Sequence, residues 1–183
     1  MAHAAEKPSR MSLAAFLEWD DGSDARYELV DGQIVAIAPG SQVHAALAGA
    51  LTVALGTRLK PPCRVFGKGG VVPDAADDTV LVPDVLVSCA PVERKPMVEG
   101  AVLIAEVMSP STRKHDRGEK VPRYQEMPSV RHILLVDQER RRIDHLRRTE
   151  RGWEQTAHLA GAAVPLDALG IELPVDEIYA GIA

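Results

Sequence analysis

Two segments near the middle of the chain are almost continuously apolar, and each is interrupted by one carboxylate. They are TVLVPDVLVS, which contains Asp84, and AVLIAEVMS, which contains Glu106. Unbroken apolar runs of this length are typical of strands that are buried on both faces of a sheet. The later segment HILLVD has the same character. The pattern therefore predicts buried strands at the centre of a sheet, with two acidic side chains among them.

The N-terminal third of the chain carries helix caps and a hairpin signal. Ser12 can cap a short helix that runs through Trp19, and Ser41 can cap a second helix whose apolar residues keep helical spacing through Leu59. Between them, RYELV and QIVAIAP are separated by Asp31-Gly32, and this dipeptide between apolar segments is a strong hairpin signal. We therefore expect helix, hairpin and helix in this order.

The remaining segments alternate between strand and helix patterns. CRVFG and GGVVP are two short strand candidates, and residues 74–78 read as a loop. RKHDRGEKVPRYQEM is a charged helix candidate, in which Pro122 either kinks the helix or stands in the first turn of a new one. RRIDHLRRT and the segment around Trp153 predict a hairpin, and residues 175–182 predict a short helix. These elements predict an α/β fold: a central mixed β-sheet flanked by helices, with additional β-hairpins.

Length, composition and charge limit the function classes. The 183 residues, 46% of them hydrophobic, are enough for one domain with a substantial core. A formal net charge of −5 argues against a general nucleic-acid coat, so any such contact would use a local basic patch. No apolar run is long enough to cross a bilayer, and residues 1–10 lack the apolar region of a secretory signal. We therefore predict a cytoplasmic protein whose first ten residues form a frayed tail.

The two cysteines, Cys63 and Cys89, form no CxxC pair and both lie next to apolar residues. The sequence favours two reduced, buried thiols over a disulfide or a metal site.

The two buried-type carboxylates are the main candidate for chemistry. An ionised carboxylate in a dry interior must be paired, protonated or bound to a cation, and two close together cannot both stay ionised without a counter-charge. Mg²⁺ meets this need with one or two carboxylates, waters and substrate phosphates. A purely structural alternative is that Asp84 faces solvent, Glu106 pairs with Arg113, and Lys120 is a solvated helix charge.

Lys120 is the third element of the candidate site. It follows the Glu106 strand, and a lysine beside a metal can contact a phosphate or position an attacking water. Asp116, Lys120 and Tyr124 are spaced four residues apart, so on a helix they would form one stripe.

These residues resemble a known pattern. Pro83-Asp84 followed by Glu106-Val107-Met108 looks like the core of the PD-(D/E)XK nucleases. More closely, RYELVDGQIV, PDVLV and AEVMSPSTRKHDRGEKVPRY resemble the Uma family of predicted bacterial endonucleases, a domain long labelled as of unknown function. The resemblance runs from about residue 12 to residue 153. It implies a restriction-endonuclease-like fold and Mg²⁺- or Mn²⁺-dependent cleavage of DNA.

The resemblance also implies roles for individual residues. Asp84, Glu106 and the Val107 carbonyl would be metal ligands. In the wider superfamily the lysine lies two residues after the second acid, where this chain has Met108. The Uma pattern places it on the following helix, which matches Lys120 as the catalytic lysine. The resemblance also implies Glu28 as an additional acid and places His44 near the mouth of the site as a substrate contact; the alternatives are an exposed strand glutamate and a capping or surface histidine. From their position alone, Arg113 and Arg117, which lie near the proposed site, are predicted to contact backbone phosphates, and Tyr124 on the helical stripe is predicted as a further substrate contact.

A glycine-rich segment and a basic segment have simpler structural interpretations. Gly67-Lys68-Gly69-Gly70 lacks the ending of a P-loop and is interpreted as a turn. The basic stretch from Arg140 to Arg151 could bind phosphate, but interleaved acids favour a solvated edge hairpin. We predict a homodimeric, Mg²⁺-dependent endonuclease. The alternatives are a non-cleaving nucleic-acid-binding or assembly module that retains the nuclease fold and, third, a hydrolase of a smaller phosphate ester.

Overall fold

A six-stranded mixed sheet forms the centre of the protein, as seen in a computed structural model. The structure describes residues 10–73, 78–110, 113 and 116–182. The strands lie in the order β3-β4-β5-β6-β7-β8, in which β5 and β6 are parallel and the other neighbours are antiparallel. Their bounds are β3 Arg64–Gly67, β4 Val85–Ser88, β5 Ala101–Met108, β6 His132–Asp137, β7 Arg142–Thr149 and β8 Gly152–Leu159. The prediction of a central mixed sheet is therefore confirmed.

Two layers cover the sheet, and the alternation of side chains along β5 assigns each residue to one of them. Leu103, Ala105 and Val107 pack toward helix α2, Gln42–Gly56, together with the C-terminal segment. Ile104 and Met108 pack toward helix α3, Val121–Glu126. Because successive side chains of a strand point to opposite faces, Glu106 lies on the α3 face.

The predicted N-terminal elements are present. Helix α1, Leu13–Glu18, is capped by Ser12, and helix α2 is capped by Ser41, whose Oγ accepts the His44 N–H at 3.1 Å. Helix α2 ends at Gly56, three residues before the predicted end. No helix in the described part of the chain is long and apolar enough to cross a membrane.

The N-terminal hairpin consists of β1, Arg26–Val30, and β2, Gln33–Ile37. Its two turn residues, Asp31 and Gly32, have φ values of 49° and 75°. Positive φ at both positions is the geometry that the Asp-Gly dipeptide favours in a tight hairpin. An isolated bridge from Leu29 to Val80 attaches this hairpin to the segment that leads into β4.

The charged segment after β5 forms two consecutive helices. A π-helix, Asp116–Lys120, leads directly into α3, in which Pro122 is the second residue. Lys120, the residue before α3, is itself helical, with φ −75° and ψ −47°, so the helical path continues through the junction. Pro122 stands in the first turn of α3, as the second alternative predicts, where π-helical winding changes to α-helical winding.

Three elements differ from the predicted ones. The strand in TVLVPDVLVS is limited to Val85–Ser88, because Pro83 has no N–H to donate to a ladder. GGVVP contributes only isolated bridges at Gly70 and Val71. The predicted C-terminal helix is shorter, since α4 spans Val175–Ile178.

The C-terminal part also contains a hairpin that the sequence pattern did not predict. It consists of β9, Ala163–Leu166, and β10, Ile171–Pro174, joined through a 3₁₀ turn at Asp167–Leu169. The predicted tail, residues 1–10, lies outside the described residues except for residue 10. The predicted loop, residues 74–78, lies outside them except for residue 78.

The prediction of two reduced thiols is wrong, because Cys63 and Cys89 are joined in a disulfide. The register explains the pairing: Arg64 is opposite Ser88 in the antiparallel pair β3–β4, so the residues just beyond them also face each other. The spacing of 26 residues in the sequence gave no sign of this proximity.

We expect the unreduced protein, unfolded in denaturant, to contain no thiol that reacts with a colorimetric thiol reagent. After reduction, the same sample should contain two reactive thiols, because the disulfide joins the two cysteines of the chain. Purification in the presence of an alkylating agent, followed by mass measurement, serves as the control for oxidation during handling. Two alkylated cysteines in this unreduced protein would restore the original interpretation.

Candidate functional site

The two predicted acids meet where β4 begins beside β5. Val85 is the partner of Ala105 in this antiparallel pair. Continuing the register by one residue places Asp84 opposite Glu106. Asp84 accepts the Val107 N–H through Oδ2 at 2.9 Å. The exposed fraction is only 8% for Asp84 and 3% for Glu106. The fold thus brings together the two carboxylates that the sequence selected.

Both carboxylates line a cleft of about 520 Å³. One wall is apolar and comes from the end of β2 and the following turn, between Val35 and Pro39. The other walls carry His44, Lys68 and Lys120. The cleft therefore combines a hydrophobic side with a polar floor, as small-molecule and substrate sites commonly do.

Asp84 is held in its ionised form. Burial alone would raise the pKa of its carboxyl, but the hydrogen bonds from His44 and Val107 and the nearby Lys68 charge lower it below the usual value. His44 Nε2 lies 2.8 Å from Oδ1, and Lys68 Nζ lies 3.6 Å from the same oxygen.

His44 is oriented by a short chain of polar contacts. The Ser41 hydroxyl donates to Gln138 Oε1 at 2.9 Å, and Gln138 Nε2 lies 3.5 Å from His44 Nδ1. If Gln138 donates to Nδ1, the imidazole carries its proton on Nε2 and donates it to Asp84. The His44 ring lies on the cleft wall, and its role as a substrate contact stays a prediction.

Glu106 has the opposite electrostatic character. Burial, together with the negative charges of Asp84 and Asp116, raises its pKa to about 8 in spite of Lys120. Its Oε1 accepts the Tyr124 hydroxyl at 2.7 Å and lies 3.3 Å from Lys120 Nζ. The two site carboxyls therefore have pKa values shifted in opposite directions.

Lys120 bridges the two glutamates of the site. Its Nζ lies 2.9 Å from Glu28 Oε1 and 3.3 Å from Glu106 Oε1. Burial would lower the pKa of this ammonium, but the two carboxylates outweigh burial and raise it. Glu28 is fixed in turn, since its Oε1 accepts the Val82 N–H at 2.7 Å. Glu28, predicted by resemblance alone, is thus in contact with the site.

Tyr124 needs a correction as a predicted substrate contact. Its side chain is fully buried, and its hydroxyl donates to Glu106, so it supports the carboxylate from behind. The sequence stripe of Asp116, Lys120 and Tyr124 predicted a common surface but not its burial; all three side chains are buried.

The two predicted arginines lie outside the cleft wall and contact acids. Arg113 Nη2 lies 3.1 Å from Asp137 and 3.5 Å from Glu139, and Arg117 pairs with Asp144. Their side chains are 39% and 38% exposed. Phosphate binding by Arg113 and Arg117 stays a prediction, and it would require exchange of these ion pairs.

The basic stretch on β7 is largely engaged in structural contacts. Arg147 pairs with Glu154 at 3.0 Å, and Arg142 pairs with Asp144 at 2.7 Å. Arg148 donates to three backbone carbonyls and stacks 4.6 Å above the Trp153 ring. These contacts agree with the interpretation as an edge hairpin whose arginines are paired.

The donor set suits a hard divalent cation with few protein ligands. Within the described ranges, no group of three or more His, Cys, Asp or Glu side chains could hold a metal ion. A cation here would therefore rely on Asp84, Glu106 and the backbone at Val107, completed by water and phosphate oxygens, which is the pattern of Mg²⁺. The raised pKa of Glu106 supports this fit, because a nearby cation would offset the negative charge that raises it.

Sequence reasoning missed two cleft residues. Lys68 stood in a glycine-rich turn, and Gln138 lies just after β6 and is 94 residues from His44. Local pattern carried no signal for Gln138. For Lys68 the signal was a single charged residue among three glycines.

The fold and the paired carboxylates define a restriction-endonuclease-like α/β domain. A crystal structure of a "putative nuclease belonging to DUF820" from Anabaena variabilis ATCC 29413 superposes with a TM-score of 0.76 at 16% sequence identity. The superposition covers 92% of this chain and 97% of that one. The model of the Uma2 family, described as "Putative restriction endonuclease", matches residues 13–176. The chain belongs to this family, and family and fold together support a nuclease-like role.

Two cyanobacterial proteins are similar along most of their length. "Uncharacterized protein slr1290" of Synechocystis sp. (strain ATCC 27184 / PCC 6803 / Kazusa) is 29% identical over 188 residues, which cover 100% of this chain and 99% of that protein. "Uncharacterized protein sll1609" of the same strain is 26% identical over 152 residues, covering 78% and 84%. The similarity therefore extends over the whole domain rather than one motif.

Proposed function

We propose that this protein is an endonuclease that hydrolyses phosphodiester bonds in DNA with Mg²⁺ or Mn²⁺. One observation carries the proposal: Asp84 and Glu106 stand side by side at the floor of an accessible cleft, although both are buried. Burying two acids together is costly unless a cation or a proton compensates. A cation bound between them would make this arrangement productive.

The residues of the chain would divide the work as follows. Asp84 and Glu106 would hold the cation, with the Val107 carbonyl as a further ligand. The bound cation would lower the pKa of a water molecule and offset charge on the phosphate. His44 keeps Asp84 oriented through its 2.8 Å contact. Tyr124 does the same for Glu106.

The catalytic role predicted for Lys120 remains a prediction, and its contacts define how it would act. Because Nζ bridges Glu28 and Glu106, the ammonium orients Glu106 and offsets its negative charge. Lys120 would therefore serve the reaction chiefly as a positioning residue.

DNA is the proposed substrate in spite of the net charge of −5. The amino groups of Lys68 and Lys120 line the cleft, and lysine contacts to phosphates supply much of the affinity of proteins for DNA. The homodimer and the cytoplasmic location stay predictions. We further propose that the whole chain forms a single domain.

The test is incubation of supercoiled plasmid and of circular single-stranded DNA with Mg²⁺, Mn²⁺ or a chelator. Cleavage in the presence of either cation, and none with the chelator, is the expected result. In parallel, calorimetric titration of Mn²⁺ into wild type and Asp84→Asn should give binding only to the wild type, because the variant loses one ligand charge.

The other outcomes have defined meanings. Metal binding that depends on Asp84, without cleavage of either DNA, would point to a substrate of a different structure. The absence of both metal binding and cleavage would support the alternative, a binding or assembly module that keeps the nuclease fold without its chemistry.

A further inference from the structure

The glycine-rich turn after β3 is the feature that the roles above do not use. Gly67-Lys68-Gly69-Gly70 was interpreted as a simple turn, but its backbone is bound to the site: the Lys68 N–H donates to the Asp84 carbonyl at 3.1 Å. The Lys68 side chain lines the same cleft as Asp84 and Glu106. The turn therefore delivers one amino group to the site.

The backbone of this turn is held in a specific path. Lys68 has a φ of 54°, in the left-handed region where a glycine is more favourable than a residue with a Cβ atom. Its neighbours are pressed against a loop: a Cβ at Gly69 would lie 2.8 Å from Val98 Cγ2, and one at Gly70 would lie 2.7 Å from Met97 Sδ. The only side chain in this glycine-rich turn is thus at a position where glycine would be less strained. Backbone strain of this kind is concentrated at functional sites.

Lys68 and Lys120 differ in how far their charge is already used. The Lys120 side chain is 9% exposed and contacts two carboxylates, at 2.9 and 3.3 Å. The Lys68 side chain is 38% exposed, and its contact with Asp84 Oδ1 is longer, at 3.6 Å. An exposed ammonium on a flexible stem can move to an incoming anion, whereas a buried one held by two acids cannot without leaving them unpaired.

We propose that Lys68 is the phosphate-contacting residue of the site, donating hydrogen bonds to a non-bridging oxygen of the DNA phosphate held beside Asp84 and Glu106. The inference rests on the proposed function and deepens it, because it names the residue that binds the reacting group. The Lys68 ammonium lies 3.6 Å from Asp84 Oδ1. A phosphate bound beside the two carboxylates would therefore be within reach of this ammonium.

The experiment compares Lys68→Gly and Lys68→Met with Lys95→Ala. Lys68→Gly removes the amine and suits the left-handed backbone conformation, and its thermal midpoint shows that the variant stays folded. Lys68→Met keeps the length of the side chain without the charge. Lys95 is the matched control, since it is 49% exposed and pairs with Glu93 and Glu99 away from the cleft.

Two readouts are needed. Single-turnover cleavage in Mg²⁺ should fall by about 10²-fold to 10³-fold in both Lys68 variants and stay unchanged in Lys95→Ala. Binding of a labelled duplex in chelator, followed by fluorescence anisotropy at several salt concentrations, should lose about one unit of salt slope in both Lys68 variants. Wild-type rates and slopes in Lys68→Met would overturn the proposal.

The binding readout separates this inference from the nuclease assignment. If the wild type binds DNA but neither cuts it nor binds Mn²⁺ through Asp84, and the Lys68 variants lose salt slope, the Lys68 contact with phosphate holds and the nuclease assignment fails. If the wild type cuts and both Lys68 variants cut equally well, only the Lys68 proposal fails. A wild type that neither binds nor cuts DNA would overturn both.

Discussion

Replacing Glu106 with glutamine should reduce the rate of DNA cleavage by at least about 10³-fold while the protein stays folded. Glutamine has the shape of glutamate and can still accept the Tyr124 hydroxyl, which lies 2.7 Å from Oε1. It lacks the negative charge that a divalent cation requires. A bound cation typically contributes several kcal/mol of transition-state stabilisation, and about 4 kcal/mol corresponds to 10³-fold.

The same substitution should leave the free energy of unfolding unchanged or increase it. The pKa of Glu106 is about 8 in the folded protein and close to 4.5 in the unfolded chain. At pH 7 folding must therefore bind a proton at this carboxyl or bury its charge, and both reduce stability. Glutamine avoids this cost. The gain is offset in part, since Lys120 loses one of the two glutamates that it contacts.

Asp84→Asn should reduce the rate of DNA cleavage as Glu106→Gln does. Unlike Glu106→Gln, it should lower the free energy of unfolding. The pKa of Asp84 is lowered in the folded protein, so its charge stabilises the fold at pH 7, and asparagine removes this contribution. Urea unfolding of both variants in buffer that contains a chelator measures whether each substitution raises or lowers the free energy of unfolding. Glu99→Gln is the control, because Glu99 is exposed and pairs with Lys95. Undiminished cleavage by Glu106→Gln would remove Glu106 from the site.

The buried strands were predictable because hydrophobic pattern depends on local sequence. β5 and β6 coincide closely with AVLIAEVMS and HILLVD. The disulfide and the β9–β10 hairpin could not be read in this way. The disulfide depends on the register of two strands that are far apart in the chain. The hairpin contains only four residues in each strand, one of them a proline in each, which weakens every pattern signal.

The site shows the same division between local and long-range information. Asp84 and Glu106 stood out because a charge inside an apolar run is costly and therefore conspicuous. Lys120 was selected by its place after the Glu106 strand and supported by the family resemblance, whereas Glu28 followed from the resemblance alone. Gln138 has no such signal, and the single charge of Lys68 among three glycines is a weak one, since a surface-type residue in a loop is chemically ordinary until the fold brings it to a cleft. Tyr124 was assigned to the right neighbourhood but to the wrong side of Glu106.

Acid should destabilise the protein through a row of histidines that lies apart from the cleft. His132, His145 and His158 stand on the adjacent strands β6, β7 and β8. His132 Nδ1 lies 2.9 Å from His145 Nε2, and the His145 and His158 rings are 5.8 Å apart. Burial lowers the pKa of both His132 and His145 to about 4. The folded protein therefore keeps these two rings neutral at pH 7.

The sign of the pH effect follows from these values. Below pH 6.5 the unfolded chain binds a proton at each histidine, whereas the folded protein does so only near pH 4. Stability is therefore fully present above pH 6.5 and is lost as the pH falls toward 4. We expect a loss of roughly 4 kcal/mol between pH 6.5 and pH 4.5 from this pair.

Urea unfolding across this pH range, for wild type and for the double variant His132→Gln/His145→Gln, measures this contribution. The carboxylates titrate in both proteins, so the difference between the two curves isolates the histidines. The variant should show a shallower decline, whatever its stability at pH 7. Parallel curves would mean that His132 and His145 titrate alike in the folded and unfolded states, and that the buried row does not oppose protonation.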